Sequence, residues 1–473
     1  MHDMNDKTHL AATAATPPAS GLYRRVWRWH FFAGLLCLPF LFTLALTGAI
    51  YLFNQEIDDV VHADLLLRSD AARSQPGMAP GSLLLARAAA AVEGRPLALY
   101  RPADDRHTVR VDMRGPDGAV MQVFLDPASG AVMGSMAEAE RLMGLVKRIH
   151  SLTVAGDAGN VLIEIVAGWT IVLVVSGAYL WWPRGRRQGV VAIRPQARGR
   201  VWWRDLHAVT GAFGAIVILF LALTGMPWSI VWGKQVNAWL SANDLGAPAG
   251  MWDKAPRSTV PASALGPLPW SLEQHRVPAS SMPGHTAHHG QAMGPQGGPG
   301  HDAIGVDRAA ALFAAAGLDK GYRLVLPADA DGVYSAIRLR AQHAGLRVIH
   351  LDQYSGKVLL DLGARDVGAV AQVTDWGVSV HQGVEYGLPN QLLMLAGCIA
   401  VMLLCVTGVV MWWKRRPAGR LAAPPRKDGD RLALGVVVIA VVLGIVFPLL
   451  GISMLLAAVL ETLWRYGASV RRT

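Results

Sequence analysis

Five long apolar runs without charged residues dominate the hydropathy pattern of this 473-residue chain. They cover residues 31–53, 165–182, 206–232, 388–413 and 432–460. About 20 helical residues cross the hydrocarbon layer of a membrane, so each run predicts a transmembrane helix. Pro448 interrupts the fifth run. We predict a single kinked span there, because neither half is long enough to cross alone.

Two polar segments between these runs show strand-like alternation. Residues 123–133 and 348–360 alternate around a Ser-Gly pair, which predicts a β-hairpin in each segment. Alanine-rich stretches at 83–92 and 308–316 predict a helix before each hairpin. The segments are therefore expected to fold as two α+β modules, in which Asp126 and Asp352 shape the turns.

Three collinear matches indicate an internal duplication. His30 precedes Ala-Leu-Thr-Gly at 45–48 by 15 residues, and His207 precedes the same tetrad at 222–225 by the same 15. The sequence Leu-Asp-x-x-Ser-Gly occurs at 125–130 and again at 351–356. His150 and His381 are each followed 26 residues later by a hydroxyl residue and glycine, and 31 residues later by Trp-Trp. The repeat offset grows from 177 to 226, which locates an insertion of about 49 residues within 234–304.

The composition agrees with a membrane protein: 52% of residues are hydrophobic, only 16% are charged, and the net charge is +10. The positive charge is concentrated in residues 1–30, 183–205 and 414–431, which carry four, seven and seven basic residues. By the positive-inside rule these segments are cytoplasmic and the two modules lie outside. The charge thus records orientation, and nucleic-acid binding is excluded because no folded cytoplasmic domain is predicted. All three cysteines lie in apolar runs, which excludes a disulfide framework.

The predicted order of segments follows from these patterns. It is an N-terminus (1–23), span 1 (24–53), module 1 (54–149), a histidine segment with span 2 (150–182), a basic loop (183–204), span 3 (205–232), an inserted His/Met/Gly/Pro-rich segment (233–304), module 2 (305–380), a histidine segment with span 4 (381–413), a basic loop (414–431), span 5 (432–464) and a tail (465–473).

The four repeated histidines are the candidate ligands. This topology places His30 and His207 at the inner membrane surface and His150 and His381 at the outer one. Histidine at membrane depth is costly unless it is paired or ligated. Two imidazoles that face each other across a helix bundle suit the axial ligation of haem. Zinc is the competing metal, but it takes three or four ligands, and the spans offer no cysteine or carboxylate nearby.

Four glycines recur in register with these histidines. Gly48 and Gly225 follow His30 and His207 by 18 residues, or five helical turns, and so share their helix faces at the opposite membrane surface. Gly177 and Gly408 follow the other two histidines. We predict that all four leave room for a flat macrocycle.

The motifs His-x14-Ala-Leu-Thr-Gly, Asp-x-x-Ser-Gly and His…Ser/Thr-Gly…Trp-Trp-x-Arg resemble those of the PepSY-associated transmembrane proteins, over residues 24–464. The resemblance implies an α-helical integral protein of the bacterial inner membrane, with its N-terminus in the cytoplasm. Duplicated two-span units would form a four-helix haem-binding bundle, with a fifth apolar helix and two PepSY-like α+β modules in the periplasm. It also implies two haems b, ligated by His30 with His207 and by His150 with His381. Electrons would pass outward to a ferric siderophore or another metal chelate.

Several points stay open at the sequence level. No glycine-rich dinucleotide fingerprint follows a strand, so the electron donor is expected to be a separate cytoplasmic reductase or a membrane quinol. No catalytic residue is identified. The remaining histidines, His350 among them, are expected at the surface.

Two alternative functions also remain. A periplasmic cupric reductase or copper-handling protein is one, because the inserted segment holds donors that suit copper: Met282, His285, His288, His289 and His301. The other is a non-enzymatic, membrane-anchored protein whose PepSY-like modules bind or regulate a partner.

Overall fold

The computed structural model describes residues 21–74, 77–182, 191–243, 245–246, 257–266, 268–273, 276–280, 303–338, 345–416 and 434–470. The helices are α1 (Gly21–Tyr51), α2 (Asn54–Val61), α3 (Ala63–Leu66), α4 (Asp70–Arg73), α5 (Gly81–Ala91), α6 (Leu142–His150), α7 (Gly156–Trp181), α8 (Arg200–Gly225), α9 (Trp232–Ala242), α10 (Gly305–Ala315), α11 (Ala369–His381), α12 (Leu388–Arg415), α13 (Leu434–Val446) and α14 (Pro448–Val470). The strands are β1 (Arg95–Arg101), β2 (Val109–Arg114), β3 (Val120–Leu125), β4 (Val132–Ala137), β5 (Arg257–Pro261), β6 (Arg276–Pro278), β7 (Tyr322–Val325), β8 (Val333–Arg338), β9 (Arg347–Asp352) and β10 (Val358–Gly363).

Four helices form a closed bundle. α1 packs against α7 and α12, and α8 packs against the same two helices, so α1 and α8 lie diagonally across the bundle. By length and composition all four are able to cross a membrane, as the apolar runs of the sequence predict. Large side chains on their outer surface are exposed, among them Leu36 (72%), Phe213 (71%) and Ile216 (83%). Water would make such a surface unfavourable, whereas the hydrocarbon of a membrane solvates it.

The fifth apolar run differs from the single kinked span that we expected. It forms two separate helices, α13 and α14, which meet at Phe447. Pro448 occupies the first position of α14, where its missing N–H costs nothing. The chain bends so sharply that a Cβ added to Gly444 would lie 3.1 Å from the Cα of Gly451. α14 packs against α7 of the bundle.

The polar segments build one eight-stranded sheet in the order β10-β9-β8-β7-β1-β2-β3-β4. The two predicted modules are therefore not separate sheets. They join through β1 and β7, the first sheet strand of each segment, which pair antiparallel from Ala98 opposite Val325 to Arg101 opposite Tyr322. α5 and α10, close to the predicted helices, share one apolar core with this sheet; Leu84, Leu99, Phe313 and Leu324 are buried in it.

The two predicted hairpins and their turns are confirmed. β3 pairs with β4 and β9 pairs with β10, both antiparallel. Oδ1 of Asp126 accepts hydrogen bonds from the backbone N–H groups of Ala128 and Ser129, and Oδ1 of Asp352 accepts those of Tyr354 and Ser355. These carboxylates thus stabilise the turns, as the sequence indicates.

His350 contradicts the expectation that the unrepeated histidines lie at the surface. It is 1% exposed in β9, and its Nδ1 lies 2.8 Å from Ser335 Oγ in β8. Side chains alternate across a strand, and this face of the sheet is covered, so an inward position on β9 must be buried whatever its residue type.

Candidate functional site

The far end of the bundle, away from the sheet, holds the first pair of repeated histidines. His30 in α1 and His207 in α8 face each other across the diagonal of the bundle. Their ring centroids are 6.5 Å apart and their planes are at 90°. Two imidazoles bound to one metal through Nε2 at about 2 Å each would have centroids about 6 Å apart. The spacing therefore fits two axial ligands of a single metal centre.

The second pair lies at the sheet end of the bundle. His150 ends α6 and His381 ends α11, so both precede the spanning helices α7 and α12 and do not belong to them. Burial lowers the pKa of His150. Burial, and then the repulsion that a protonated His150 would exert, lower the pKa of His381 to about 4. Both rings are therefore neutral at physiological pH, which is the form that binds a metal.

Each of the four histidines has a hydroxyl partner at Nδ1, and each partner is the residue just before one of the repeated glycines. The pairs and their Nδ1–O distances are His30 with Ser176 (2.8 Å), His207 with Thr407 (2.8 Å), His150 with Thr47 (3.1 Å) and His381 with Thr224 (2.8 Å).

The hydroxyl groups determine which ring nitrogen carries the proton. Thr47, Thr224 and Thr407 donate to a backbone carbonyl four residues earlier, at 2.6, 2.6 and 2.7 Å. Ser176 donates to the carbonyl of Leu173 at 3.2 Å. Since each hydroxyl proton is used in this way, the oxygen can only accept from the histidine. Nδ1 is therefore the donor, and the lone pair of Nε2 stays available for a metal.

Three of the four glycines pack against these histidine rings. A Cβ added to Gly48 would lie 3.1 Å from Cε1 of His150, one at Gly177 3.3 Å from that of His30, and one at Gly225 3.6 Å from that of His381. Nothing within the described residues lies within 4 Å of a Cβ added to Gly408. These three glycines therefore let the imidazole ring approach the helix backbone closely. Room for a macrocycle stays a prediction, and Gly408 has the open space that it requires.

The donor set of each pair suits a metal whose remaining ligands belong to a cofactor ring. Within the described ranges, no group of three or more His, Cys, Asp or Glu side chains is placed to hold a metal ion. Two imidazoles per site are too few for zinc and match the axial positions of a haem iron.

The other predicted ligands lie outside the described residues: Met282, His285, His288, His289 and His301. The hydroxyl partners of the histidines were not predicted from the sequence, although a signal for them was present. A serine or threonine precedes the glycine in all four repeat units, whereas packing alone would equally accept alanine there.

Comparison with known protein families identifies a match over most of the chain. The family model described as the PepSY-associated TM region matches residues 27–415, which include all four histidines and all of the four bundle helices except the first six residues of α1. No curated protein matches the chain.

Proposed function

The chain belongs to the PepSY-associated TM family, and from that premise we propose that it is a transmembrane electron conduit with two b-type haems. His30 and His207 would hold one haem and His150 and His381 the other. Electrons would pass along the bundle to a ferric siderophore in the periplasm. Reduction to ferrous iron would weaken its binding to the chelate, so the iron would be released. Haem supplies one-electron chemistry at each site.

The observation that carries this proposal is the arrangement of four imidazoles in two pairs, at opposite ends of one apolar bundle. In every case Nδ1 is held by a hydroxyl group, so the chain fixes the tautomer and orientation that a metal-bound imidazole needs. The surrounding helices are apolar, which lowers the dielectric around both sites. This chain thus supplies ligands, orientation and a low dielectric, which are the means by which proteins tune haem potentials.

The proposed direction of transfer rests on charge. In the sequence, Lys and Arg are concentrated in the segments that adjoin the far ends of the bundle helices, which favours a cytoplasmic location for that end in a bacterial inner membrane. The N-terminus would then be cytoplasmic and the sheet periplasmic. A separate cytoplasmic reductase or a membrane quinol would supply electrons to the pair formed by His30 and His207.

Sealed proteoliposomes test the transfer step. A ferric chelate is trapped inside, dithionite is added outside, and ferrous iron is measured with a chromogenic chelator. We expect rapid reduction with the native protein. The double variant His150→Ala/His381→Ala should fall to the rate of protein-free vesicles, and His62→Gln, which changes an unrepeated histidine, should not. Undiminished reduction by the double variant would contradict the proposal.

Copper reduction is a second candidate, favoured by the two methionines and the four histidines within residues 282–301. A chain lacking 282–301 distinguishes the two substrates. Selective loss of cupric reduction would support copper, and equal rates for ferric and cupric chelates before and after the deletion would argue against it.

A further inference from the structure

A cavity of about 610 Å³ lies between the sheet and the sheet end of the bundle. Side chains from β1, β2, β3 and β7 form one wall, so both halves of the sheet contribute to it. Tyr51, the last residue of α1, and Gly144 in α6 form part of the opposite wall. A cavity of this size can hold a small-molecule ligand.

Five arginines line this cavity, from β1, β2, β7 and the residue before α6: Arg95, Arg110, Arg114, Arg141 and Arg323. Two buried carboxylates already have partners among them. Asp112 lies 2.9 Å from Nε of Arg110 and 3.2 Å from Nη2 of Arg323, and Asp58 lies 2.9 Å from Nη2 of Arg141. The floor of the cavity therefore carries three half-buried guanidinium groups and two buried carboxylates. The other acidic lining residues, Glu138, Asp329 and Asp331, are exposed at the rim.

The floor also has unused hydrogen-bond donors. Nε of Arg141 and Nε of Arg323 are buried and have no hydrogen-bond partner within the described part of the chain. Buried polar groups are normally paired, so such donors call for a ligand or solvent that accepts from them. Arg95 and Arg114, which are exposed, form no ion pair with another described residue and remain available to a charged ligand.

The equivalent face in the second half of the sheet is apolar. Leu125 and Leu351 match in the repeat, and their strand partners are Val109 and Tyr334. By this register Asp112 corresponds to Ile337, and Gln122 corresponds to Val348. In the second half that face packs beneath residues 262–272 as an apolar core. A sheet of this kind thus needs no charges for its stability, and the buried charges of the first half indicate a binding role.

The cavity shares two elements with the sheet-end histidines. Gly144 lies six residues before His150 in the same helix, a rise of about 9 Å. Tyr51 lies one turn beyond Gly48, whose added Cβ would contact the His150 ring. A ligand in the cavity would therefore lie close to the sheet-end histidine pair, with no other domain between the ligand and the histidines.

We propose that this cavity is the substrate site and that it selects ferric chelates of net negative charge with exposed oxygen donors, such as catecholates or carboxylates. Guanidinium groups bind such oxygens in a planar, charge-assisted geometry. The substrate role of the cavity rests on the proposed electron conduit. Its ability to bind anionic chelates does not.

Gallium(III) chelates test the binding alone, because gallium(III) is not reduced under these conditions. Calorimetry on the detergent-purified chain would compare an anionic gallium tris-catecholate with a cationic gallium trihydroxamate. We expect the anionic probe to bind and the cationic probe to bind at least about tenfold more weakly, which is about 1.4 kcal/mol. Equal affinity for both probes would overturn the proposal.

Matched variants locate the site. Arg110→Gln removes a floor charge, and Arg95→Gln/Arg114→Gln removes only exposed rim charges and should leave the fold intact. Both should weaken binding of the anionic probe by about tenfold. Arg87→Gln, an exposed change on α5 at the other face of the sheet, should have no effect. Unchanged affinity in the rim variant and in Arg110→Gln would overturn the proposal. The binding measurement involves no electron transfer. If the purified chain binds the anionic probe but contains no haem, the binding proposal is supported and the proposed electron conduit is refuted.

Discussion

At the residue scale, the hydroxyl groups explain why the repeat units carry Thr-Gly or Ser-Gly rather than any pair of small residues. The hydroxyl holds Nδ1 and the glycine lets the ring approach, so the two neighbours act together on one imidazole. The sequence predicted the histidines because they recur at a fixed spacing. It could not predict their partners, because each hydroxyl bonds a histidine more than 100 residues away.

Thr224→Val should weaken the sheet-end site without changing the far-end site. The variant leaves the buried Nδ1–H of His381 without its hydroxyl acceptor, a loss of about 1–3 kcal/mol. We expect partial loss of one haem and a shifted midpoint potential for the remainder, measured by redox titration of the absorption spectrum. Thr224→Ser should restore both. Thr374→Val is the control, because Thr374 is exposed on the same helix as His381 and bonds only its own helix backbone. An unchanged potential in Thr224→Val would show that the hydroxyl does not position the histidine.

At the element scale, hydropathy located the four spanning helices but not the break between α13 and α14. The run is apolar on both sides of Pro448, and the sharp bend depends on contact between two glycine backbones, Gly444 and Gly451. The pairing of β1 with β7 was likewise not predictable. Each is the first strand of its own segment, and edge pairing between distant strands leaves no local pattern.

His350 makes the sheet sensitive to acid. Burial lowers its pKa to about 3 in the folded chain, whereas the unfolded chain has a pKa of about 6.5. Below about pH 6.5 the unfolded state therefore binds a proton that the folded state does not, so stability falls as the pH falls toward 3. We expect the thermal midpoint of the native chain to drop between about pH 7 and pH 5.

His350→Asn checks this assignment, because asparagine can keep a hydrogen bond to Ser335 but does not titrate. The variant should show a clearly smaller drop of the thermal midpoint over the same pH range. An identical drop would mean that other groups cause the acid sensitivity.

At the scale of the whole molecule, three features follow one another along the bundle. The far-end histidine pair lies at one end, four helices long and apolar enough to cross a membrane follow, and the sheet-end pair adjoins the arginine-lined cavity. His30 and Gly48, which packs against the His150 ring, both lie in α1. The far-end and sheet-end histidine pairs are therefore separated by about 27 Å of helix rise. The sequence predicted that the four histidines form two pairs at opposite ends of the spanning helices. The joined sheet and the cavity arise only when both halves fold together.

The most direct test of the central claim is the absorption spectrum of the purified chain, air-oxidised and dithionite-reduced, combined with a haem count per polypeptide. The account predicts b-type bands and about two haems per chain, falling to about one in His150→Ala/His381→Ala and in His30→Ala/His207→Ala. A colourless protein from haem-replete cells, or an unchanged haem count in both double variants, would contradict it.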